Sequence, residues 1–286
     1  MNKIEKIIII IKISIIMKIV LSNQKKVAQF ACILRHLKNL SSDIEWSISA
    51  EQFYTQGMDS SHACLFELQL NPEWFDVYDV KKNCMLGINC ELIFKIFNCL
   101  GENQKVEIEY EETKDNLCIS LLPIEGEKGI EKIFELPLIN MEVDMLEVPD
   151  TEWSADIEML SSEFSQLIDQ LSIFGNDLAI KCNDEITLTG SGEHGKMNAR
   201  IKNDDILLYA IEEDSEIIVN YSMVFIKEMA SYSKLNKKVS IGVSIDIPIK
   251  IQYDLDDFMD DEDDNDEEYI SKNFIRFFLA PKIEDF

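Results

Sequence analysis

Gly57-Met-Asp-Ser-Ser-His62 runs directly into Ala63-Cys-Leu-Phe-Glu-Leu-Gln-Leu70, a polar turn followed by a strand of alternating character. A period of two sends one set of side chains to a core and the other to water. The same pattern returns in Gln104-Lys-Val-Glu-Ile-Glu-Tyr110 and Val239-Ser-Ile-Gly-Val-Ser-Ile245. Half-buried strands of this kind belong to antiparallel sheets.

Outward from Gly57, the chain repeats itself. Leu40 aligns with Leu171, Gly57 with Gly190 and Val106 with Val239, at spacings of about 131 to 133 residues. Each repeat reads as an amphipathic helix (about 25–38, then 162–173), a strand pair ending in Gly and further strands. A second helix (about 90–99, then 221–232) and a hairpin follow. The fold class is therefore α+β, with two similar β-rich domains of two helices each. The domains are expected at 17–137 and 155–286, joined by a connector over 138–154. Within it Leu138 to Trp153 is rich in acidic and apolar residues, and Pro149 holds Val148 in extended geometry.

Residues 1–16 read as an N-terminal extension or alternative start. Ile7 to Ile11, followed by Lys12, is too short and too interrupted for a membrane span, and no small-residue cleavage site follows. A chain of 286 residues forms one large or two medium domains and buries roughly three quarters of its unfolded surface. Cys32, Cys64, Cys84, Cys90, Cys99, Cys118 and Cys182 are odd in number, lack a CxxC pair and mostly lie in apolar runs. They read as reduced core thiols of an intracellular protein. The formal net charge of −27 argues against tight phosphate binding, which needs clustered Lys and Arg.

Motifs that suggest chemistry fail on context. Gly190-Ser-Gly-Glu-His-Gly195 matches GxGxxG, but Lys196-Met-Asn-Ala-Arg-Ile201 reads as a strand where a dinucleotide site needs a helix. Asp59, Ser60, Ser61 and His62 carry the groups of a nucleophile and base, yet neighbours along a turn point apart, whereas a triad converges from separate segments. His36, His62 and His194 have no ligand spacing, so no zinc site is expected. From Asp254 to Glu268 eleven of fifteen residues are acidic, which reads as a solvated loop and not an EF-hand, since the required Gly and ligand order are absent. Neither a catalytic constellation nor a cofactor is expected.

The string Gly57-Met-Asp-Ser-Ser-His62 together with Phe278-Leu-Ala-Pro-Lys-Ile-Glu-Asp285 closely resembles the eukaryotic-type sliding clamp of DNA replication, the proliferating cell nuclear antigen family. Further matches keep family order: Leu37-Lys-Asn-Leu40 before Trp46, Met85-Leu-Gly-Ile-Asn89, Ser162-Glu-Phe164 and Asp246-Ile-Pro248. The resemblance extends, with gaps, from about Met17 to the end.

The resemblance implies a homotrimer closed head to tail around duplex DNA, with helices lining the hole and sheets forming the outer wall. The pairing edges would be about Lys128 to Leu136 and Met197 to Lys202. Such a ring holds DNA by linkage, so an acidic exterior is compatible with function. On its inner helices the candidate DNA contacts are Lys25, Lys26, Arg35, Lys38, Lys95 and Lys227, with Lys234 beyond the last helix. In the third helix Gln166, Asp169 and Ile173 stand where the family usually carries basic residues or His, which would weaken the DNA path on the second domain or make contact with the duplex lopsided. A partner groove is implied at Met58, His62, Leu65, Leu146, Val148, Pro149, Pro248, Phe278, Leu279, Ala280, Pro281 and Ile283. It would take one-turn helical peptides from a polymerase, clamp loader, ligase and nuclease, in a nucleus or at a cytoplasmic replication site. Asn183 and Asp184 lie near the place of the lysine that the family commonly modifies with ubiquitin. A heteromeric checkpoint-type clamp or a monomeric processivity factor would share the fold without self-closure.

Overall fold

The computed structural model describes residues 15–141, 145–148, 151–193, 195–212, 215–256 and 271–282. They form two compact units, Met1–Gly57 with Leu68–Asp144, and Met58–Glu67 with Met145–Phe286. The N-terminal extension and most of the acidic loop lie outside the described residues.

In the first unit β1 (Ile15–Leu21) leads into α1 (Gln24–His36), prolonged by a 3-10 turn at Leu37–Asn39. Asn23 starts the helix by accepting from the Lys25 and Lys26 amides, which would otherwise lack partners. There follow β2 (Asp43–Ile48), β3 (Phe53–Met58), β4 (Cys64–Leu70), β5 (Val77–Val80) and β6 (Cys84–Asn89). Then come α2 (Cys90–Phe97), β7 (Gln104–Glu111), β8 (Asn116–Pro123) and β9 (Lys132–Pro137). Strands β5-β1-β7-β8-β9 make one antiparallel sheet, and β3-β2-β6 are paired in a second. Phe30 of α1 centres an aromatic core, with the rings of Trp46, Phe53, Trp74, Phe75 and Phe97 all within 6.5 Å.

The second unit repeats the order: β10 (Ala155–Leu160), α3 (Ser161–Leu171), β11 (Asp177–Cys182), β12 (Ile186–Gly192) and β13 (Gly195–Ile201). After β14 (Leu208–Ile211) and β15 (Ile217–Ser222) come α4 (Met223–Ala230), β16 (Lys238–Val243), β17 (Ile249–Asp254) and β18 (Phe274–Leu279). Its sheets run β14-β10-β16-β17-β18 and β13-β12-β11-β15. Here Ile157, Ile180, Ile226, Ile241 and Ile251 line a small apolar void together with Phe164, and the rings of Tyr221, Tyr232, Tyr253 and Phe277 are buried in the same core. Gly190 marks the repeat for a steric reason, since a Cβ there would lie 2.4 Å from the carbonyl oxygen of Leu171, the residue that aligns with Leu40 in the sequence pattern. Among the described residues each repeat thus contains nine strands and two helices in the same order.

Met58–Glu67, which the linear repeat would place in the first domain, belongs to the second unit. The first half of β4 runs beside β18: the Ala280 amide donates to the Ala63 carbonyl at 2.9 Å, and Arg276 pairs with the buried Glu67 carboxylate.

Candidate functional site

The turn at Asp59 is a structural cap. Its carboxylate accepts from the backbone of Ser61 (2.7 Å), Ala63 (2.7 Å) and Cys64 (2.6 Å) and from the Ser61 hydroxyl. Burial acts to raise the Asp59 pKa, but these hydrogen bonds outweigh it and hold the group below its usual value. The turn presents His62 at φ 58°, exposed, with Nδ1 3.1 Å from the Met58 sulfur. Asp59, Ser61 and His62 therefore do not converge as a triad. At the other turn β12 and β13 form a hairpin closed by the Gly192 and Gly195 pair, and β13 stands where a dinucleotide site requires a helix. His194 of that motif lies outside the described residues.

The described residues of the expected groove, Met58 and His62 among them, all fall in the second unit. Leu146 is 47% exposed, Val148, Leu65 and Pro281 are half-buried, and Pro248 and Ala280 are exposed. Pro149 and Ile283 lie outside the described residues. Along β18 the period of two directs Phe274, Arg276 and Phe278 to one face and Ile275, Phe277 and Leu279 to the other. Leu279 is consequently 1% exposed and part of the core, not of the groove surface where the family resemblance put it. Phe278 retains 8% exposure, and Arg276 stands 5.5 Å from its ring centre.

Four residues of this face are not signalled by the sequence pattern. Trp153 stacks on Phe278 with centroids 6.5 Å apart and planes at 25°, and its indole N–H donates to the Pro248 carbonyl at 3.2 Å. Lys250 places its ammonium 4.2 Å from the Trp153 ring centre. The Arg276 and Glu67 pair completes the set. The one available signal is an isolated Trp closing an acidic linker, but its partners come from β17, β18 and the turn before β17, far away in sequence. The face combines apolar and aromatic surface with few polar groups, which suits a short amphipathic peptide.

The candidate DNA contacts fall on or beside the helices. Lys25 and Lys234 are exposed, and Lys26 is half-buried 5.7 Å from the Trp74 ring centre. Arg35 is engaged within the protein instead. Its Nε and Nη2 both donate to the Phe97 carbonyl, at 3.1 and 2.6 Å, capping the negative end of α2. Lys38 lies on the 3-10 turn beyond α1, and Lys95 and Lys227 on α2 and α4. On α3, Gln166 and Asp169 are exposed, and Ile173 just beyond it is 75% exposed. Among the described residues no group of His, Cys, Asp and Glu is placed to hold a metal ion, and no helix is long and apolar enough to cross a membrane.

Family models for the N-terminal and C-terminal domains of proliferating cell nuclear antigen match residues 21–146 and 147–261. With the doubled α+β unit, these matches define a DNA sliding clamp, a class of non-enzymatic scaffold. The chain belongs to the proliferating cell nuclear antigen family.

Proposed function

We propose that the chain closes as a homotrimer around duplex DNA and serves as a polymerase processivity factor, recruiting replication and repair proteins through the groove at Met58, Leu146, Val148, Pro248 and Phe278. One observation carries the ring. Strands β9 and β13 each have a single neighbour among the described residues and end their sheets, and they are the repeat counterparts of β18 and β4, which lie side by side within the chain. Pairing β9 of one copy with β13 of the next would repeat that arrangement and cover both open edges. Ile130 and Ile133, 76% and 66% exposed at the β9 edge, supply apolar surface for the contact.

In such a ring the helices face the duplex, and DNA is held by enclosure. Each anchor side chain that a partner peptide buries contributes about 1.5–3 kcal/mol before the costs of association. A few anchors give micromolar binding, which lets partners exchange. The DNA contacts are assigned to Lys25, Lys26, Lys38, Lys95, Lys227 and Lys234, and compartment follows the DNA served. No chemistry of its own is assigned to the chain.

The test combines mass in solution with loading onto nicked circular and linear DNA. Three copies per particle, retained on circles and lost from linear ends, is the expected result. A particle of one copy, or equal retention on both templates, refutes enclosure.

A further inference from the structure

The helix pairs of the two units each carry a cross-helix ion pair, with opposite charge at the equivalent first position. In the first, Lys38 Nζ lies 3.7 Å from Glu91 Oε2 at the start of α2; in the second, Asp169 of α3 takes Lys227 of α4 at 3.2 Å. With Leu40 aligned to Leu171, Lys38 and Asp169 are equivalent positions. Glu91 also places Oε1 3.5 Å from Lys95 Nζ, so one carboxylate serves both lysines. The Lys38 ammonium is further steadied 3.4 Å from the Phe94 ring centre. Two lysines that would give this surface two positive charges together give it one.

We propose that Glu91 is a resident counterion that sets how weakly the first unit's helices hold duplex phosphates, an inference that rests on the reading that these helices face DNA. The three side chains are 29%, 53% and 62% exposed for Lys38, Glu91 and Lys95, so water screens the pairs and phosphate can displace the carboxylate. A displaced salt ion diffuses away and its release favours binding. A displaced Glu91 stays tethered and continues to repel the phosphate. The arrangement favours a ring that slides over one that sticks.

The test uses the full chain and a labelled linear duplex, with affinity followed by anisotropy across a salt series. Glu91→Gln should tighten association about three- to tenfold at low salt and steepen the slope of log K against log salt by about 0.9 for each lysine that newly engages a phosphate. Adding Lys38→Gln and Lys95→Gln to Glu91→Gln should erase the effect. Glu112→Gln makes the same charge change at the Lys82 pair, away from the helices, and should leave the slope as in the native chain. An unchanged slope in Glu91→Gln, or an equal tightening in Glu112→Gln, overturns the proposal. If native rings still run off linear ends in that case, only the counterion role falls; if neither the native chain nor Glu91→Gln engages duplex at all, the helix-to-DNA reading falls with it.

Discussion

Gly242 leaves the space that Trp153 occupies: a Cβ on Gly242 would come within 2.6 Å of the indole Cγ. The strand β16 thus carries no side chain at the one place where the tryptophan lies across it, and the indole is held against Phe278 and the Pro248 carbonyl. A methyl group there must push the ring out of its stack. Gly242→Ala is therefore expected to destabilise the fold by about 1–3 kcal/mol and to weaken partner-peptide binding. Thermal unfolding and peptide titration read the two effects, and a variant equal to the native chain in both refutes the role given to Trp153.

Leu146 is the better place to introduce a charge into the groove, because it is 47% exposed whereas Phe278 is largely covered. Leu146→Glu should abolish polymerase stimulation while the trimer mass is kept. Phe278→Asp should do the same with an added loss of stability, since it buries a charge. Stimulation retained by both variants places docking elsewhere.

Ile133 stands on the open edge of β9 with 66% of its surface exposed. Ile133→Glu should shift the particle mass from three copies towards one, because the charge would be buried in the proposed contact. Light scattering at micromolar protein decides this, and a trimer of native stability rules out β9 as the joint.

Asp59 links the stability of the turn before β4 to pH. Its folded pKa is depressed, so the stability it contributes is fully present above the ordinary carboxylate value near about 3.9 and is lost as pH falls through the lower folded value. Asp59→Asn should cost about 1–3 kcal/mol at neutral pH and flatten the fall of melting temperature between about pH 5 and pH 2. An unaltered acid profile would mean that the turn does not depend on this carboxylate.

The doubled unit is legible in the chain because strand and helix periods are local properties, and Leu40, Gly57 and Val106 recur in register as Leu171, Gly190 and Val239. Helix ends are less legible: α4 spans Met223–Ala230 and α2 ends at Phe97, since terminal turns are settled by caps and packing. Arg35 shows the limit clearly. Its charge and helical position read as a DNA contact, and only the end of α2, 62 residues away, reveals a capping partner.

By itself the sequence determined the α+β class, the repeat and the family, because each is written in spacings of a few residues or in the match of two segments. Tertiary structure alone decided which side chains meet. It set Trp153 against Phe278 and Lys250, turned Leu279 inward, moved the start of β4 into the second unit and gave Lys38 and Lys95 a shared carboxylate. Most of those contacts join residues far apart along the chain, so their partners are fixed by sheet pairing and packing and leave no periodic trace in the sequence.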